Sequence, residues 1–83
     1  MTNLEIKSEI RNFINSNFPA YKNCTIDIED FIVILNKGKV EQTFSIFNRN
    51  SRIDIWGDGF TTRMGNFLES LSRDIKIGSI LEK

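Results

Sequence analysis

Histidine is absent from the 83 residues, and cysteine, proline and tryptophan occur once each, as Cys24, Pro19 and Trp56. Without histidine, Ser-His-Asp and Cys-His nucleophile pairs are excluded in their usual forms. A single cysteine rules out an internal disulfide and fits a reducing compartment. A zinc site built from one thiolate and carboxylates would be a poor ligand set. No neighbouring sequence feature lowers the pKa of Cys24, so the residue is read as filling a half-buried position at a strand start rather than as a nucleophile. Excess charge is missing too: eleven basic and eleven acidic side chains leave a net charge of zero. That balance argues against a dedicated duplex binder, whose affinity comes largely from phosphate neutralisation. Long apolar runs are also lacking. The longest is "FIVIL", residues 31 to 35, against the roughly 20 residues a membrane helix needs. The opening "MTNLEIKSEI" has no basic region followed by an apolar run, so it is not read as a signal peptide. The expectation is a cytoplasmic, non-enzymatic protein that holds no cofactor or metal and has no membrane partner.

What is present reads as one α+β domain over residues 1–83, ordered α-β-β-β-α, with a three-stranded antiparallel meander packed against two helices. Ile6, Ile10, Phe13 and Ile14 form one apolar stripe, predicting a helix over about 3–16. Thr2 or Asn3 caps it, and "FPA" ends it, because the residue before Pro19 is pushed out of the helical region. Strands are expected over about 25–35, 39–47 and 52–56. Phe60, Met64, Phe67, Leu68, Leu71 and Ile75 carry the strongest periodic signal, a helix over about 59–75 with Asp58 as its N-cap. A short turn over 77–82 follows, holding Ile77, Ile80 and Leu81.

Turn chemistry assigns the faces. A three-residue turn at Asn36-Lys37-Gly38 pairs Ile34 with Val40. One face then collects Ile26, Ile28, Ile32, Ile34, Val40, Phe44, Ile46, Ile53 and Ile55, with Asp30 and Gln42 as its polar irregularities. The opposite face receives Phe31, Val33, Leu35, Phe47 and Trp56, among acids and hydroxyls. If both helices lie on the isoleucine face, this second face is an apolar-aromatic patch that needs a partner; if a helix covers it, Trp56 is core.

Weak motifs are read structurally. "DIWGDG", residues 54 to 59, resembles the opening of an EF-hand loop, but Trp56 falls at position three and Gly65 where a bidentate glutamate is required. The same glycines at a helix start could cradle an anion, yet no lysine follows and Asp58 would repel phosphate. Paired carboxylates such as Asp27, Glu29 and Asp54 would need a concave wall to act together.

The element order is shared by double-stranded-RNA-binding domains. The lysine cluster which that family places at its last helix is replaced here by "GDGFTTRMGNF", with Arg63 alone. In size and layout the chain is similar to small anti-CRISPR inhibitors. The functional expectation is therefore a protein-binding module acting by occlusion, an inhibitor or anti-defence protein of a phage or mobile element. Its contact residues are taken as Trp56, Phe47, Phe31, Val33, Leu35, Arg52 and Arg49. The partner is a protein, host or self, with a homodimer through the edge strand 52–56 as the self form. The alternative is a single-stranded nucleic acid, stacked on the aromatics and flanked by arginine and lysine.

Overall fold

A computed structural model describes residues 2–81, with side chains for residues 2–75. Two helices and three strands follow one another as α-β-β-β-α, an α+β arrangement with an antiparallel sheet. They are α1 (Asn3–Asn17), β1 (Thr25–Glu29), β2 (Ile32–Lys37), β3 (Val40–Ser45) and α2 (Phe60–Leu81). The chain divides into two compact units, residues 1–43 and 44–83.

In the first unit, α1 begins with a reciprocal cap. The Thr2 hydroxyl accepts from the Glu5 amide at 3.2 Å, and the Glu5 carboxylate accepts from the Thr2 amide at 3.2 Å. Two of the four orphan amides of a helix start are thereby satisfied. The Thr2 amide and hydroxyl hold the Glu5 carboxyl below its ordinary range. Of the predicted stripe, Ile6, Ile10 and Ile14 are fully buried and Phe13 is half-buried. The helix stops at Phe18, whose amide still donates to the Ile14 carbonyl at 2.8 Å, and Pro19–Tyr21 turns once as a 3-10 helix. Tyr21 is buried, with the Lys37 ammonium 4.3 Å from its ring centre, within cation–π range.

The expected long strand 25–35 is in fact a hairpin. β1 and β2 pair antiparallel, Ile26 opposite Leu35 and Ile28 opposite Val33. The chain reverses at Asp30 and Phe31, both with left-handed φ, 50° and 61°, the signature of a type I′ turn. This reversal moves β2 by one residue in face parity. Val33 and Leu35, expected on the open face, are fully buried, while Ile32 and Ile34 are half-buried on the other side. A one-residue shift exchanges every side chain of a strand between faces. Asp30, an irregularity in a continuous strand, belongs to the turn.

The second reversal also differs from expectation. It is a two-residue turn, Gly38-Lys39, between Lys37 and Val40, with Gly38 at φ +63. Glycine at the first turn position suits the twist of a hairpin. Gln42 and Phe44 of β3 are buried, and Val40 is exposed rather than core. The opposite face carries Asp27 and Glu29 on β1, Ile32 and Ile34 on β2, and Glu41 and Thr43 on β3.

In the second unit, no strand forms over 52–56. Where a fourth strand would pair with β3, the Asn50 side chain does so instead. Its amide nitrogen donates to the Ser45 carbonyl at 2.9 Å and its oxygen accepts from the Ser45 amide at 2.6 Å. Of the residues in its predicted period, α2 buries Phe60, Met64, Leu68 and Leu71 and leaves Phe67 and Ile75 half-buried. It does not end near 75 with a separate turn to follow: its backbone stays helical to Leu81. The expected turn over 77–82 thus merges with the helix as far as Leu81, while Glu82 and the side chains of Ile77, Ile80 and Leu81 lie outside the described residues.

Candidate binding groove

The connection from Ile46 to Gly59 is irregular but tied down by its own side chains. Ser45 Oγ accepts from the Asn48 amide at 3.1 Å, Asn50 holds Ser45, and Ser51 Oγ accepts from the Ile53 amide at 3.2 Å. The last tie is Asp54. Its carboxylate accepts from the amides of Gly57 at 3.0 Å and Gly59 at 2.7 Å, and more weakly from Thr61 at 3.5 Å. An anion among the free amides of a helix start is favoured by both hydrogen bonding and the macrodipole. Asp54 therefore performs the capping expected of Asp58, which is exposed at φ +62. The Gly-Asp-Gly step holds the chain's own carboxylate.

These ties sort the predicted contact residues. Trp56 is 9% exposed and stacks on Phe60, ring centres 4.8 Å apart. It is core, as are Val33 and Leu35. The apolar-aromatic sheet face expected from the sequence therefore does not form. Trp56 follows the connection onto α2, and the β1–β2 turn sends Val33 and Leu35 inward. Phe31 stands partly exposed at the first hairpin turn, 42%, in the first unit. Phe47, Arg49 and Arg52 remain together and accessible on the connection. Ile53 and Ile55, expected inward, are 74% and 58% exposed. With no strand there, nothing forces their alternation onto a core face.

Phe47, Arg49 and Arg52 line a groove of about 390 Å³ within the second unit. One wall is the connection from Ser45 to Arg52. The other is the face of α2 that presents Thr61, Thr62, Gly65, Asn66, Glu69 and Ser72. Glu69 is the only acid among the described lining residues, and its carboxylate pairs with the Arg73 guanidinium at 3.2 Å. The apolar stripe of α2 dominates its sequence pattern and hides this wall. Its signal was the small and polar set Thr62, Gly65 and Asn66, unusual in one stretch of a helix.

A second concavity, in the first unit, is shallower and lined by Lys7, Arg11, Lys22 and Cys24 among others. The Arg11 guanidinium donates to the Lys22 carbonyl at 2.7 Å. Burial pushes the Cys24 thiol up, against the pull of Arg11. A nucleophilic thiolate needs the opposite shift.

Among the described residues no helix is long and apolar enough to cross a membrane. No protein-family model, no curated protein and no solved structure matches the chain.

Proposed function

We propose that this chain is a non-enzymatic protein-binding module whose contact surface is the connection from Phe47 to Ile55. The observation that carries the reading is the exposure of Phe47, Ile53 and Ile55, interleaved with exposed Arg49 and Arg52, on a segment pinned by Asn50 and Asp54. Burying an isoleucine or phenylalanine side chain is worth about 1.5–3 kcal/mol. Ile53 and Ile55, largely exposed beside the partly exposed Phe47, are ready-made anchors for an interface with a charged rim. Because the segment is tethered at both ends, binding would order little additional chain, which keeps the entropic cost low. The mode of action proposed is occlusion: a small inhibitor, such as an anti-defence protein of a phage or mobile element, covering a partner's working surface.

The experiment is selection of a random-peptide display library on the immobilised protein. Ile53→Ser/Ile55→Ser is expected to keep its unfolding midpoint and to lose most of the selected clones. If every clone binds this variant as well as the parent, the connection is not the contact surface.

A second reading, a single-stranded nucleic acid, rests on Phe47 beside Arg49 and Arg52. Two phosphate contacts give a salt slope of only about −1.4, and Glu69 lies in the same groove. The protein reading is preferred on that magnitude.

A further inference from the structure

We infer that the groove beside the connection takes an acidic peptide segment, its carboxylate held by Arg49 and Arg52 and its backbone crossing α2 at Gly65. This rests on the protein-binding reading and adds the chemistry of the partner.

The first argument is Gly65. It lies inside α2, where glycine is less favourable than alanine because it loses more backbone freedom and adds no contact. Neither usual reason for a helical glycine applies. Gly65 is not among the glycines with positive φ, and a Cβ built on it meets nothing within 4 Å. What the missing side chain leaves is open room in the groove wall, wide enough for another backbone to approach.

The second argument is charge. Arg49 and Arg52 are exposed at the groove, and its one acid is engaged by Arg73. The unbalanced charge is therefore positive and consists of guanidinium groups, whose planar fork matches a carboxylate with two parallel hydrogen bonds. The third argument is the remaining lining. Asn48, Thr62 and Asn66 offer both donors and acceptors, as the amides and carbonyls of an extended peptide require. A polynucleotide would need a longer track of cations than two arginines provide.

The test uses peptides from the display selection and three variants: Gly65→Ala, Gly65→Leu and Arg49→Ala/Arg52→Ala. Selected peptides are expected to be enriched in Asp and Glu. Their affinity should fall about tenfold or more for Gly65→Leu and for the double arginine variant. Gly65→Ala should raise the melting temperature by about 4–8 °C, showing that the glycine is not needed by the fold. A lowered melting temperature for Gly65→Ala overturns the inference, and so does undiminished peptide affinity for Gly65→Leu. Displacement of the peptide by an oligothymidylate at comparable concentration also overturns it, in favour of nucleic acid. Clones that ignore these variants but fail on Ile53→Ser/Ile55→Ser overturn the groove assignment and leave the protein-binding reading intact. Clones indifferent to both sets overturn both.

Discussion

Asp54 shows how one side chain can settle what a stretch of sequence is for. In "RIDIWGDGF" three features invite a chemical reading: two aspartates, two glycines and the lone tryptophan. The carboxylate of Asp54 reaches forward to Gly57, Gly59 and Thr61, so it is consumed by backbone amides rather than offered to a cation or a substrate. Asp58 lies nearer the helix in sequence, on an exposed left-handed turn position before Gly59, yet Asp54 is the acid that reaches the amides of Gly57, Gly59 and Thr61. Local spacing favours the nearer acid; the turn made by Gly57, Asp58 and Gly59 brings the farther one back. Replacing Asp54 with alanine should therefore cost about 1–2 kcal/mol. In urea unfolding this reads as a lower midpoint at an unchanged slope.

Among the elements, helices were legible and strand registers were not. The period of Ile6, Ile10 and Ile14, and that of Phe60, Met64, Leu68 and Leu71, is set by burial of one stripe, and each of these residues is buried. The start of α1 could be read from Thr2 and Glu5, since a capping box is written in adjacent residues. The far end of α2 could not, because no proline or left-handed glycine marks a stop after Ile75. Strands failed at their turns. "EDF" contains none of the Asn-Gly or Asp-Gly signals of a type I′ hairpin, so Asp30 and Phe31 passed as strand residues. The apolar alternation across residues 26 to 35 reads as one face although it belongs to two paired strands. The count of three strands survived only because the absent strand at 52–56 offset the missed division of 25–35. Phe31 in the left-handed region is strained, at a cost of order 1–3 kcal/mol. Asp30→Asn/Phe31→Gly is accordingly expected to stabilise the protein by about 1 kcal/mol, measured as a raised urea midpoint. If stability drops instead, packing of the Phe31 ring outweighs the backbone strain.

For the whole molecule, the structure divides the contact residues that the sequence places on one face. Phe47, Arg49 and Arg52 are accessible and share a groove, while Trp56, Val33 and Leu35 are buried. The surface proposed for partner binding is therefore an irregular connection rather than a sheet face, and its apolar anchors are isoleucines that the sequence placed in the core. The reason is physical. An extended segment next to a sheet reads as another strand unless its pairing groups are seen to be occupied, and here Asn50 occupies those of Ser45. The net charge of zero conceals a local division. The sheet face bearing Asp27, Glu29 and Glu41 is acidic, whereas residues 44 to 53 carry two arginines and no acid. The central claim, that the connection and the neighbouring α2 wall form the contact surface, is most directly tested by hydrogen exchange on the protein with and without a saturating selected peptide. New protection should fall on residues 47 to 55 and on the α2 segment from Thr61 to Ser72. Protection confined to β1, β2 and β3, or none at all while the peptide is bound, would contradict it.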